Sequence, residues 1–404
     1  MRVLKWFVLT LVIVLAAGSL SAQTSDWSAY LYNSVMRQLL RVDLNGTQTP
    51  INLNLSEGSY LGEYETAFTS DGNYMAYCTI DYTAVTAGST LTPTLLTVYD
   101  LTTGTVLYQQ DLGPSIGCWI NYSGDNSMLA VGMVNFFPGD PSADTSRPIW
   151  ELRIVDADSG IEMASMSPLN AEATDLGLYN DFSIMPDVRY FDNNQLIFTG
   201  ILWGTEGAPV EPAFLWDLNS SDLQAFDDWW HWGLAINGRE VVWLESDSTL
   251  PIGNPGGPVP ASNVVRSRDT AGEVVTIYHS PDWILLDTEF IDNGRRLAMS
   301  LLEPFDPNST EGSEVRWVAL DRAGNVSDLA STTGFSQIGN APEGYVYLSA
   351  NSPNVGATMT LDYHTGDQTR TLFTGASDDS GGAWTMIWTT PVQPADDLPP
   401  FVVR

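Results

Sequence analysis

Apolar and polar positions along this chain follow a short, recurring strand–turn–strand rhythm with no sustained helical period. A run of β-formers ends in Asp, a Gly or polar turn follows, and a second strand begins. The instances are LLRVDLNG (Asp43), LTVYDLTTG (Asp100), LRIVDADSG (Asp156), AFLWDLNSSD (Asp217), VVRSRDTAG (Asp269), VRWVALDRAG (Asp321) and MTLDYHTG (Asp362). Such a segment spells a hairpin, because Asp accepts hydrogen bonds from its own downstream backbone and Gly supplies positive φ. The Asp residues are separated by 57, 56, 61, 52, 52 and 41 positions, intervals long enough for four short strands.

A second hairpin falls between the first ones. It reads AFTSDGNYMAYC (67–78), NYSGDNSMLAVG (121–132), YFDNNQLIFTG (190–200), AINGREVVWL (235–244), FIDNGRRLAMS (290–300) and GNAPEGYVYLS (339–349). Each is a strand, a tight Asp/Asn/Gly turn and a strongly apolar strand. Six of these stand against seven of the first kind. The first Asp–Gly hairpin lacks a partner strand before it, and AWTMIWTT (383–390) is left over at the other end. Pairing the two completes a ring without an open sheet edge. The expected fold is therefore an all-β propeller of seven four-stranded blades over residues 23–390, one blade closed by first and last strands. Six and eight blades are the alternatives.

AFTSDGNYMAY resembles the strand–Ser–Pro–Asp–Gly–strand signature of WD-like propeller repeats of the TolB type, with Thr69-Ser70 where Ser-Pro is usual. LTVYDLTTG and the blade-length spacing are similar to the same family. The resemblance implies a scaffold with many roles and assigns no activity.

If each blade runs a to d outward from the channel, the a–b and c–d turns share one face and are short. The b–c connections (81–94, 135–149, 203–213, 246–263, 303–314, 351–357) share the other face with the d–a crossovers and are long. Long loops on a rigid scaffold are where binding concentrates; the bland alternative is tolerated surface insertion. Asp227-Asp228-Trp229-Trp230-His231-Trp232 falls on the crossover into blade 5. Aromatic and acidic side chains there suit a sugar ring or a peptide; the competing reading is packing between blades. Trp119, Trp283 and Trp384 are expected to pack.

Charge changes the picture in one respect. Asp and Glu number 49 against 16 Lys and Arg, for a net −33, and Lys5 is the single lysine. The acidity comes from a shortage of bases, which excludes nucleic acid and anionic lipid surfaces as partners. Arg2 and Lys5, the apolar stretch Phe7–Ala17 and the small residues up to Ala22 read as a signal peptide over 1–22, the alternative being an uncleaved membrane anchor. A secreted, periplasmic or cell-surface location follows as an expectation. No later apolar run approaches the ~20 residues of a membrane span. Cys78 and Cys118 either bridge in an oxidising compartment or pack as buried thiols. The Pro-rich, acidic segment 391–404 is expected to be disordered or loosely packed.

The search for catalytic chemistry returns little. Three His (His231, His279, His364) lie outside metal-ligand spacings; His364 falls in the last hairpin and His279 ends an outer strand. Residues 70–77 have neither the spacing nor the Trp of a Ser-x-Asp-x-Gly-x-x-Trp box. Asp306-x-Asn308-x-Thr310 and Asp140-x-Ser142-x-Asp144 place oxygens at alternate positions. Both lack the Gly and terminal Glu of a calcium loop and read as surface turns. No cofactor is expected, Ca2+ being the alternative. The expected function is a secreted, non-catalytic, monomeric propeller that binds or scaffolds a protein or glycan ligand through its long-loop face. The alternative is a carbohydrate hydrolase or lyase using channel carboxylates, of which the spacing singles out no pair.

Overall fold

The computed structural model describes residues 27–53, 55, 61, 65–80, 93–136, 147–169, 187–190, 192–199, 213–227, 232–247, 262–303, 314–351, 356–376, 384–391 and 398–402. Blade 1 contains β1 (Ser28–Asn33), β2 (Gln38–Asp43) and β3 (Gln48–Ile51). Blade 2 is β4 (Thr66–Phe68), β5 (Tyr74–Thr79), β6 (Pro93–Asp100) and β7 (Thr105–Pro114). Blade 3 is β8 (Gly117–Tyr122), β9 (Met128–Val134), β10 (Trp150–Asp156) and β11 (Glu162–Met166). Blade 4 is β12 (Asp187–Tyr190), β13 (Gln195–Thr199), β14 (Ala213–Asp217) and β15 (Leu223–Asp227). Blade 5 is β16 (Trp232–Ile236), β17 (Glu240–Glu245), β18 (Val264–Asp269) and β19 (Val274–His279). Blade 6 is β20 (Ile284–Ile291), β21 (Arg296–Leu302), β22 (Val315–Asp321) and β23 (Val326–Thr332). Blade 7 is β24 (Ser336–Ala341), β25 (Gly344–Ala350), β26 (Thr358–Thr365) and β27 (Gln368–Ala376). Finally β28 (Trp384–Thr389) returns to blade 1, whose order is β28-β1-β2-β3. The seven sheets form a seven-bladed β-propeller, with all neighbouring strands antiparallel.

Burial explains which strand takes which place. The second strand of each blade has an apolar centre, as in MLAVGMV and RLAMSLL, and is buried over most of its described length. A strand covered on both faces by neighbouring blades has no polar side to offer. Outer strands such as β7 and β23 are exposed over most of their length and carry the polar residues. Apolar clusters therefore lie between blades: Met133, Val131 and Ile120 pack with Leu96 and Val98 across blades 2 and 3.

The closing seam is packed as well as paired. Ala29 opposes Thr389 and Tyr32 opposes Thr385 across β1 and β28. Phe68 of blade 2 stacks on Trp388 at 4.7 Å, and Tyr30 lies 4.5 Å from Phe68. On the blade 7 side the Trp27 Nε1–H donates to the Asn340 carbonyl at 3.0 Å.

Three details depart from the sequence reading. Asp362 is not at a turn: it lies inside β26, accepting from the hydroxyls of Thr360 and Thr371, and the hairpin turns at Gly366. His364 likewise sits in β26, its ring stacked on Tyr345 at 4.7 Å, and burial lowers its pKa against the pull of Asp362. In the C-terminal segment Phe401 is buried in the apolar cluster of blades 5 and 6, while Pro399, Pro400 and Val402 stay exposed. Composition suggested disorder; one aromatic residue with a cleft to fill overrides it.

Candidate functional site

The a–b and c–d turns consume their own polar groups. At the c–d turns, Asp43, Asp100, Asp156, Asp217, Asp269 and Asp321 each accept from backbone N–H groups two to four residues on, at 2.7–3.1 Å. Gly46, Gly104, Gly160, Gly272 and Gly324 take positive φ there, and Ser221 (φ 61°) stands in that place in blade 4. The Thr102 hydroxyl, with backbone N–H groups, holds the Asp100 carboxyl down at about 2. The Ser159 hydroxyl and the Ser220 N–H act likewise on Asp156 and Asp217. For Asp71 and Asp125, in the a–b turns, burial pushes the pKa up. Hydrogen bonds from Thr69 and Asn73, and from Ser127 and Ser123, outweigh it and lower both.

These turns are also tied to each other. Asn126 accepts from the Ser70 N–H at 2.8 Å and donates to its hydroxyl at 3.0 Å, joining blades 2 and 3. Asn193 accepts from the Asp125 N–H at 2.9 Å, joining blades 3 and 4. The Asp292 N–H donates to the Gly344 carbonyl, joining blades 6 and 7. A cleft of about 180 Å³ opens between the c–d turns of blades 4 and 5, but its Asp217 and Asp269 are the turn acceptors already described.

The opposite face differs in length and composition. Strand ends leave residues 80–92, 135–149, 200–212, 246–263 and 303–314 to the b–c connections of blades 2 to 6, and 52–65 and 167–186 to two d–a crossovers. Within the b–c and d–a connections between β1 and β28, Arg37 and Arg147 are the only Lys or Arg residues, whereas acids recur from Glu57 and Asp81 to Asp378 and Asp379.

The aromatic candidate joins β15 to β16, so the crossover lies where the repeats placed it. Asp227 ends β15 with its backbone opposite Ala213, and Trp232 begins β16 opposite Leu244. Asp228, Trp229, Trp230 and His231 lie outside the described residues, as do both oxygen-rich turns, Asp306–Thr310 and Asp140–Asp144. Among the described residues no group of three or more His, Cys, Asp or Glu could hold a metal ion.

A polar cluster that the sequence reading missed brackets the connection 246–263. His279 Nε2 lies 2.9 Å from Asp247 Oδ2, and Asn263 Nδ2 donates to Asp247 Oδ1 at 2.6 Å. The Asp247 N–H in turn donates to Asn263 Oδ1 at 3.0 Å. Strand register held the clue: Val264 is opposite both Glu245 and His279, which brings three distant stretches to one strand end.

Inner strands line the channel and are stitched by side chains. Asn121 accepts from the Tyr190 N–H at 3.0 Å, the Thr288 hydroxyl donates to the Gly233 carbonyl, and Gln337 bonds both polar groups of the Met386 backbone. Asp287 and Glu289 stand two apart on β20, the former exposed and the latter half-buried. Trp119 is half-buried on β8 and Trp384 is buried on β28, in keeping with packing. Cys78 of β5 and Cys118 of β8 are joined by a disulfide across blades 2 and 3, with Cα atoms 6.3 Å apart.

The sequence matches no protein-family model and none of the curated proteins. Solved propellers do resemble the structure. The β-propeller domain of the trilobed protease from Pyrococcus furiosus, described as an open velcro topology, matches with a TM-score of 0.50 at 11% identity, covering 86% of this chain and 96% of that one. A prolyl endopeptidase structure matches with a TM-score of 0.57 at 13% identity, covering 88% of this chain and 51% of that one. TolB from Acinetobacter baumannii gives a TM-score of 0.42 at 15% identity over 76% of this chain and 64% of that one. The chain thus spans about half the length of the prolyl endopeptidase it matches. At such identities the likeness shows the fold alone.

Proposed function

We propose that this chain is an exported, non-catalytic propeller that binds or scaffolds a protein or glycan ligand on the face of its long connections. The observation that carries the reading is the contrast between faces. On one face, the turns spend their acids on their own backbone and on neighbouring turns. On the other, long connections carry acids with few bases among them. Loops held by a rigid ring offer adaptable contacts at little cost to the scaffold. The charge favours a cationic protein surface over a neutral glycan, because complementary charge speeds encounter and suppresses wrong partners. Trp229, Trp230, His231 and Trp232, with Asp227 and Asp228, are the proposed contact segment, and export rests on the signal-like residues 1–22.

The test is capture from culture supernatant by immobilised protein, beside a glycan array. Two variants are compared with the natural chain: Trp230→Ala with Trp232→Ala, and Asp140→Asn with Asp144→Asn, Asp306→Asn and Glu311→Gln. The reading expects a ligand whose capture falls with either variant and with added salt. Capture unchanged by both, or lost through a change at the short-turn face, overturns it. So does turnover of a carbohydrate that depends on Asp287 or Glu289.

A further inference from the structure

The segment after β28 ends in an anchor with no counterpart in the repeat pattern. β28 belongs to blade 1, yet Phe401 is buried among Leu297, Phe290, Leu244 and Val242 of blades 5 and 6. The segment therefore reaches past blade 7. Thr390, which accepts from the Ser28 N–H through its hydroxyl at 2.9 Å, marks where it leaves the closing strand pair.

Arg322, in the c–d turn of blade 6, organises the anchor. Its guanidinium lies over the Phe401 ring at 4.0 Å and pairs with Glu240 of blade 5 at 2.5 Å, both side chains being almost wholly buried. It also donates to the Gly294 carbonyl in the a–b turn of the same blade, and to the Pro399 carbonyl at 3.4 Å. The Val402 N–H donates to the Arg322 carbonyl at 3.1 Å. One guanidinium thus joins blade 5, both turns of blade 6 and the segment from blade 1. The ion pair, the cation–π contact and the buried ring act at a single point.

We infer that residues 398–402 form a second clasp on the ring, acting in parallel with the β28–β1 strand pair. The physical reason lies in what happens when β28 peels away from β1. With Phe401 seated, both ends of the peeled strand stay held, one by blade 7 and one by the anchor. The opened state gains little chain entropy and recloses. With Phe401 released, the strand is held on the blade 7 side alone and the opened state becomes far more populated. The alternative is local: Phe401 fills a cleft between blades 5 and 6 and does nothing for the seam.

Hydrogen exchange on the full chain separates the two. In Phe401→Ala, a clasp predicts that amides of β28 and β1 exchange about tenfold faster under native conditions, although the substitution lies beyond blade 7 from them. A local role predicts faster exchange only around Arg322, Gly294 and Glu240, and that result overturns the clasp. Should Phe401→Ala fail to fold, a second variant decides the matter: ten Gly/Ser residues inserted between Pro391 and Leu398, leaving the anchor intact. The longer tether should raise β28 exchange about threefold by loop-closure entropy. Unchanged β28 exchange there also overturns the proposal.

Discussion

The two ends of this ring use the same residue types for opposite purposes. At the short-turn end, Asp100 accepts from the Thr102 hydroxyl and from two backbone N–H groups. Asp125 accepts from Ser123 and Ser127, and its N–H reaches Asn193 in the next blade. Those carboxylates are structural, and their environment keeps them ionised. At the other end, acids sit in connections of up to twenty residues, 167–186 being the longest. The difference teaches that net charge alone says little about partners. What matters is which acids the fold has already engaged.

The largest test of this contrast concerns the closure that makes both faces possible. Deleting the residues after 380 removes Trp384, Met386 and Ile387 from the interior. At about 1.5–3 kcal/mol each, this is roughly 5–9 kcal/mol, comparable with the whole stability of a domain. Circular dichroism and thermal melts should show loss of the cooperative fold throughout the ring. Next comes the interior of the short-turn face. Glu240→Ala leaves the buried Arg322 without its carboxylate, and denaturant unfolding should register a loss of roughly 3 kcal/mol. Asn126→Ala deletes both bonds to Ser70 between blades 2 and 3, and about 1–2 kcal/mol should follow in the same measurement.

Acid titration sharpens the comparison further. Asp71, Asp100, Asp125, Asp156 and Asp217 have lowered pKa values in the folded chain, Asp100 at about 2. A depressed carboxylate adds stability that is fully present above the ordinary carboxylate range and is lost as pH falls through its folded value. The melting temperature should therefore decline steadily between about pH 4 and pH 2. Asp100→Asn should flatten part of that slope; an unchanged slope would show that the turn bonds do not hold the charge. The smallest effect belongs to the long-connection face. Asp306→Asn with Glu311→Gln should leave unfolding free energy within about 0.5 kcal/mol, while capture of a cationic ligand falls. A large stability loss there would erase the distinction between the faces.

Much of the fold was legible in one dimension because its determinants are local. Six of seven Asp–Gly hairpins and all six inner hairpins form turns where the spacing put them. An Asx turn is decided by residues within a few positions of each other. Asp362 shows the limit of that logic: MTLDYHTG carries an Asp followed by Gly, but β26 continues to Thr365, and the turn forms at Gly366. Strand length there is set by pairing with β25 and β27, which the local motif does not encode. Of the candidate site, only the place of the crossover into blade 5, flanked by Asp227 and Trp232, could be read from spacing.

The sequence by itself therefore determined the repeat, the hairpins, the missing partner for 383–390, and the contrast of short and long connections. Each depends on neighbours in the chain or on the order of strands. Only the tertiary structure brought Asp247, Asn263 and His279 to one strand end, tied Asn126 to Ser70, and seated Phe401 under Arg322. These contacts join residues far apart in the chain, in the second case from two blades and in the third from a blade and the segment after β28. They arise from how strands pair and blades pack, and a local pattern of polar and apolar residues does not specify such partners.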